Sequence, residues 1–287
     1  MKNILITGSN GQLGSEIKDR SANYPQFNFF FTDIDELDLT DREAVMHFFK
    51  QNNINTCINC AAYTAVDKAE DDRELALLVN SEAVKILSQV CSEHDAFLVH
   101  ISTDYVFDGR NYKPYNETDP PSPDSYYGLT KLKGEEAVFA FCNKAVIVRT
   151  SWLYSAYGNN FVKTMIRLGR EKEAIGVVAD QVGTPTYAGD LAGSLLDIIL
   201  KYDNALVNEI YHFSNEGAIS WYDFAKTIMQ EANLNCKVNP IESKDFQAKA
   251  NRPFYSVLNK AKIKNDFNIE IPYWLDSLKY VIKKLTQ

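Results

Sequence analysis

The segment SYYGLTKLKGE, residues 125 to 135, holds two adjacent tyrosines and, four residues beyond the second, a lysine. On a helix advancing about 100° per residue, Tyr127 and Lys131 fall within about 40° of one another, whereas Tyr126 and Lys131 fall about 140° apart. Tyr127 is therefore the partner of Lys131. A free tyrosine has a pKa near ~10, and a neighbouring ammonium stabilises the phenolate and lowers that value. Such a pair suits an acid that protonates a carbonyl oxygen as hydride reaches its carbon. The same spacing is also a common packing pair on a helix face, so it needs support from elsewhere in the chain. One strand earlier, VHISTDYVFDG puts Ser102 and Thr103 at a strand's carboxyl end, the edge where doubly wound sheets bind ligands. A hydroxyl there can hold the substrate's carbonyl oxygen.

A second constellation opens the chain. ITGSNGQLG sets Gly8, Gly11 and Gly14 between a strand and a helix. Such glycines let the backbone turn tightly and approach a pyrophosphate, which exposed N–H groups and the helix dipole receive. The bland reading is a tight turn. About twenty residues on, the next strand ends at Asp33, whose carboxylate can accept the adenosine ribose hydroxyls and repel a 2′-phosphate. The loop DIDELDLTD adds Asp35, Glu36 and Asp38 with no adjacent arginine, which leans the cofactor towards NADH.

These groups need a scaffold that alternates strands and helices. NILITG, FNFFFTD, TCINCAA, FLVHIST and AVIVRTS read as strands. QLGSEIKDRS, DREAVMHFFKQN, AEDDRELALLVNSEAVKILSQVCSEH and YYGLTKLKGEEAVFAF read as helices. This pattern predicts a doubly wound parallel α/β sheet of Rossmann type over residues 1 to 150. Residues 151 to 287 are less regular and predict a smaller α+β substrate domain, some of whose segments return to the first. NNFVKTMIRLGREKE, YAGDLAGSLLDIIL and SWYDFAKTIMQEA read as its helices.

Composition narrows the function classes. The 287 residues are 45% apolar, enough for full-sized cores. The 38 acidic residues outnumber 30 basic ones for a net charge of −8, against general affinity for nucleic acid or anionic membrane. No apolar run is expected to span a bilayer, and MKNILITG runs straight into a strand, leaving no room for a signal peptide. A cytoplasmic protein is expected. Cys57, Cys60, Cys91, Cys142 and Cys236 suit a reducing compartment. Cys57 and Cys60 form a CxxC, but on a strand positions i and i+3 point to opposite faces, so they read as core rather than as a metal or redox pair. His47, His94, His100 and His212 lack ligand spacing, and no zinc site is expected.

The motifs GSNGQLG, NCAAYTAVDKAE, ISTDYVFDG, YYGLTKLKGE, RTSWLYSAYGNNF and DQVGTPT, in this order, together with NRPFYSVLN, resemble the dTDP-4-dehydrorhamnose reductase family of extended short-chain dehydrogenase/reductases. The first and fourth are shared by the whole superfamily; the others are more specific. The resemblance implies reduction of the C4 ketone of a dTDP-linked 4-keto-6-deoxyhexose with NADPH or NADH, yielding dTDP-L-rhamnose for polysaccharide biosynthesis. It makes Tyr127 the general acid, Lys131 the nicotinamide-ribose ligand that tunes it, and Thr103 the residue that orients the carbonyl. It sets Gly11, Gln12 and Leu13 at the cofactor phosphates, Asp33 at the ribose, Asp38 and Leu39 at the adenine, and Ala61, Ala62 and Thr64 along the cofactor. Asp104, Tyr105 and Trp152 match sugar-binding positions; Trp152 also reads as a core aromatic at a domain junction.

The substrate diphosphate needs cations. Lys163, Arg167 and Arg170 share a helical stripe, and Arg252 in NRP is a second candidate. Some family members form homodimers through magnesium held by three acidic residues; Glu16 and Asp190 match two of these places. SLKYVIKKLTQ offers no third, so no metal is expected and the oligomeric state stays open. An epimerase or dehydratase shares the fold and the Tyr/Lys pair. The single acid after Thr103, followed by Tyr105, Val106 and Phe107, favours simple reduction over elimination. The regulatory β subunit of methionine adenosyltransferase also resembles these reductases, as a non-catalytic partner; intact Thr103, Tyr127 and Lys131 favour an enzyme.

Overall fold

The computed structural model describes residues 2–202 and 208–286. Its central sheet contains β1 (Lys2–Thr7), β2 (Phe27–Phe31), β3 (Thr56–Asn59), β4 (Phe97–Thr103) and β5 (Ala145–Thr150), with Glu209–Phe213 at one edge. From that edge the order is Glu209–Phe213, β5, β4, β3, β1, β2, and every neighbouring pair is parallel. The order reverses at β1, where the chain goes outward to β2 and returns to β3 on the other side. A ligand crevice belongs at that point, beyond the strands' carboxyl ends. Register sets those ends in two steps: Thr7 lies opposite Asn59 and Asn59 opposite His100, while β4 and β5 run three residues further, to Thr103 opposite Thr150.

Side chains alternate between two cores because strand residues point to opposite faces. Ile4, Ile6, Ile58, Val99 and Val146 pack with α1 (Gln12–Arg20), a helix at Ala188–Lys201 and another at Ala261–Phe267. Leu5, Cys57, Leu98 and Ile147 face Val45 and Phe49 of the helix Arg42–Asn52, and Leu87 and Val90 of the helix Ala83–Glu93. Cys57 thus belongs to one core, while Cys60 packs against the other and borders the crevice. The cysteines are unpaired among the described residues. A third core joins the helices Phe161–Glu171, Trp221–Glu231 and Trp274–Thr286 beside short two-stranded ribbons, including Ala174–Val178 with Lys237–Ile241.

The long helix expected over residues 69 to 94 is interrupted. Separate helices at Val66–Ala69 and Arg73–Leu77 precede a π-helical turn at Leu78–Glu82, which runs into Ala83–Glu93. The extra residue of that turn aims buried Asn80 outward from the helix: its amide bonds both backbone groups of Tyr63, at 2.9 and 3.0 Å, and Thr130 Oγ1 at 3.1 Å. The turn thereby fixes the loop carrying Ala61 to Thr64. The stretch Arg73–Glu93 is long and apolar enough, by length and composition, to cross a membrane, contrary to the sequence expectation. Its apolar face is spent on the sheet through Val84, Leu87, Val90 and Cys91, since a helix buried in a layer has much the same composition as a spanning one.

Candidate active site

Two adjoining cavities occupy the crevice at the strand-order reversal. One, of about 480 Å³, is lined by Gly8, Gly11, Asp33, Asp38, Leu39, Ala61 and Ala62, among others. The other, of about 560 Å³, is lined by Gln12, Leu13, Thr64, Thr103, Asp104, Tyr105, Tyr127, Lys131 and Trp152, with Ser102, Gly158 and Asn159 beside them. They share Gly8, Gly11, Cys60 and Ala62. Every catalytic, cofactor and sugar-binding residue expected from the sequence borders this crevice except Gly14. A Cβ on Gly14 would come within 2.5 Å of Ser9 and 2.6 Å of the Gly8 carbonyl, so its place is the packing of helix onto turn.

The first cavity fits a dinucleotide. Gly8 has φ +61, and a Cβ there would stand 2.7 Å from the Ala61 backbone, so the turn can lie this close to the neighbouring loop only as glycine. Helix α1 starts at Gly11 with no side-chain cap and no acid in its first turn, leaving amide donors for an anion. Asp33 Oδ2 accepts the Asn10 amide at 2.9 Å and Oδ1 that of Ile34, which fixes the carboxylate where the glycine loop meets the second strand. Asp38 accepts the Thr40 amide and hydroxyl, contacts that hold its pKa below the usual carboxylate range.

The second cavity assembles the reacting groups. Ser125 caps the helix Tyr126–Phe141 by accepting the Gly128 amide at 3.1 Å. A Cβ on Gly128 would lie 2.2 Å from the Tyr105 carbonyl, so this contact seats the helix start against the end of β4. Tyr127 is buried and meets the Tyr105 ring edge-on, centroids 5.5 Å apart. Tyr126 instead stacks under Arg73, and its amide donates to Glu70. The structure thus separates the two tyrosines as the helix-face argument expects.

The electrostatics differ from the expectation. Burial pushes the Tyr127 phenol up to about 12, against the neighbouring Thr103 hydroxyl, which lowers it. Lys131 does not pull it down; its Nζ donates to the Ile101 carbonyl at 2.7 Å, and desolvation of the phenolate prevails. Burial likewise brings the Lys131 ammonium down to about 8, opposed by Glu135 and Cys60. Glu135 lies one helical turn beyond Lys131 and is buried, accepting Arg149 Nε and Nη2 at 2.9 and 2.6 Å and Ser102 Oγ at 2.5 Å. This buried pair behind the lysine is absent from the sequence reading; two like-signed cations flanking one acid, at positions 131, 135 and 149, are its only trace. Asp104, buried beside Thr103, accepts that hydroxyl at 3.0 Å, and burial raises its carboxyl to about 6.

Trp152 forms the far wall with its backbone at φ +47, a conformation that bulky residues rarely adopt. Its indole stacks on Trp221, centroids 3.5 Å and planes 10° apart. Trp152 is therefore both cleft wall and packing residue, and Trp221 went unforeseen because a tryptophan at a helix start carries no chemical spacing. The cationic stripe is placed elsewhere: Lys163, Arg167 and Arg170 line a separate cavity with Glu171 and Leu285. Lys163 Nζ is tied to the Ala156 and Gly158 carbonyls, and Arg167 pairs with Glu171. Helical periodicity put these cations on one face but could not say which way the face turns. Glu16 accepts Ser155, Arg20 and Tyr187, while Asp190 accepts Asn215 and Ser277. Among the described residues no three metal-ligating side chains form a cluster.

Sequence comparison adds to this geometry. The profile of the RmlD substrate binding domain family matches residues 1–287. The chain belongs to the RmlD substrate binding domain family. Within this family's relatives, the dTDP-4-dehydrorhamnose reductase of Aggregatibacter actinomycetemcomitans is 40% identical over 293 residues, covering 98% of each chain. Two solved structures superpose with TM-scores of 0.93. One is a dTDP-4-dehydrorhamnose reductase from Clostridium acetobutylicum, 43% identical, covering 99% of this chain and 100% of that one. The other is a dTDP-4-dehydrorhamnose reductase from Bacillus anthracis in complex with NADP, 40% identical with the same coverage.

Proposed function

We propose that this member of the RmlD family is a dTDP-4-dehydrorhamnose reductase, an NAD(P)H-dependent cytoplasmic enzyme that makes dTDP-L-rhamnose from a small-molecule nucleotide sugar. The observation that carries the reading is the convergence of Thr103, Tyr127 and Lys131 on one cleft that continues into the glycine-loop cavity. When bound, the nicotinamide supplies hydride to the sugar's C4. Gln12, Leu13 and the uncapped start of α1 receive the cofactor phosphates, and Asp33 the adenosine ribose. Lys131 Nζ, with one donor held by Ile101, keeps two for the nicotinamide ribose. Tyr127 Oη gives its proton to the C4 oxygen, and its raised pKa keeps that proton in place at neutral pH. Thr103 lies beside Tyr127 in the cleft and orients the C4 oxygen, and Asp104, Tyr105 and Trp152 bound the sugar.

Progress curves with purified protein test this reading. NADPH or NADH should disappear in one-to-one proportion to alcohol formed from a dTDP-4-keto-6-deoxyhexose. Sugar conversion without net cofactor loss would identify an epimerase or dehydratase, and no turnover of any 4-keto sugar would leave a regulatory subunit.

A further inference from the structure

We propose that Arg252 binds the diphosphate of the nucleotide-sugar substrate and that Asp67 occupies the same donors until the diphosphate displaces it. The inference rests on the nucleotide-sugar reading above. Arg252 reaches Asp67 with both terminal nitrogens, Nη1 to Oδ1 at 3.2 Å and Nη2 to Oδ2 at 2.7 Å. The same carboxylate accepts the amides of Lys249 and Ala250, at 3.2 and 3.1 Å. One anionic group has thus gathered a guanidinium fork and two backbone N–H groups, a donor set that also matches phosphate oxygens.

The position suits the ligand. Arg252 borders a cavity of about 280 Å³ with Arg110, Gln181, Ser243 and Tyr105. Tyr105 also lines the catalytic cleft, so the two spaces meet at its side chain. C4 and C1 lie on opposite sides of a hexose ring, so a sugar with C4 at Tyr127 directs its diphosphate away from the phenol. In a chain of net charge −8 this cavity supplies two guanidinium groups, with Arg110 paired to Asp124, and Asp108, the other acid in its lining, bonded to Tyr115. Asp67 is 41% and Arg252 22% exposed, so water and a competing anion can reach the pair although both of its bonds are made. A diphosphate with two negative charges can outcompete one carboxylate for the fork.

Isothermal titration calorimetry with dTDP alone tests the exchange, using wild type, Asp67→Asn, Asp67→Ala, Arg252→Met and the Asp67→Asn/Arg252→Met double variant. Both Asp67 variants should bind dTDP about threefold to tenfold more tightly, as expected when a competing carboxylate leaves the fork. Arg252→Met should bind about tenfold or more weakly, and in that background Asp67→Asn should bring no gain. Asp67→Asn keeps an acceptor for the 249–250 amides and Asp67→Ala does not, so agreement between them separates lost charge from a loosened segment. Weaker binding in both Asp67 variants would mean that the carboxylate props Arg252 in place, and unchanged binding would mean that the two anions do not compete; either overturns the proposal. The predicted dTDP pattern in a protein that reduces no sugar would refute the reductase reading alone, whereas reduction without the pattern would refute the exchange alone.

Discussion

The two walls of the cleft are built by different means. On the cofactor side, Thr7 and Asn59 end β1 and β3 at one level, β4 runs three residues further to Thr103, and each reacting group sits within a few residues of a strand end or helix start. On the sugar side, Trp152 has left-handed backbone, Trp221 reaches it from a distant helix, and Arg252 lies on a segment fastened by ion pairs to Asp67 and its neighbour Asp71. The first wall follows from local pattern. The second is made by contacts between residues far apart in sequence, which can change specificity without disturbing the chemistry.

The contrast ranks the expected effects of change. Tyr127→Phe should keep fold and cofactor binding yet lower kcat by ~10²-fold or more, while Tyr126→Phe, outside the cleft, should be far milder. If Tyr126→Phe proved the more damaging, the cofactor-side wall would not be fixed by helix phase. The pH profile probes the same wall. Lys131 is protonated below about 8 and loses its charge as pH rises through that value. If the ammonium is required, kcat/KM should fall by about tenfold per pH unit above the break. Tyr127, raised to about 12, keeps its proton throughout that window. Glu135 favours the charged lysine, so Glu135→Gln should move the break to lower pH; an unmoved break would disconnect the buried Glu135–Arg149 pair from catalysis.

Smaller effects are expected where the fold only tunes selection. Asp33→Ala should shift preference towards NADPH by about tenfold, since it removes a carboxylate that would face the 2′-phosphate. A wild type that turns over NADPH alone would show that a cation from elsewhere reaches that site. Trp221→Ala should raise KM for the sugar by about twofold to tenfold, as expected for a lost aromatic stack, with the cofactor KM unchanged. Equal damage to both constants would mean that the sugar-side wall also supports the cofactor.

The same contrast explains what was legible in the sequence. Alternating apolar runs marked five strands of the central sheet, and Tyr127 with Lys131 followed from helical phase alone. The edge strand Glu209–Phe213 carries tyrosine and histidine among its apolar residues and lies far from its neighbour β5 in the chain, which hid it. The π turn at Leu78–Glu82 was invisible because its residues, LVNSE, carry no glycine or proline to mark an irregular turn. Charge type alone could not place Lys163, Arg167 and Arg170, whose direction depends on how their helix docks. The Tyr127 pKa was misjudged because composition reveals the nearby cation but not the depth of burial.

The most direct test of the central claim follows the transferred hydrogen. With NADPH deuterated at the reactive C4 position of its nicotinamide and a dTDP-4-keto-6-deoxyhexose, NMR of the product should show one deuterium bound to the sugar's C4. Product carrying hydrogen at C4, with deuterium retained in the cofactor, would contradict the account.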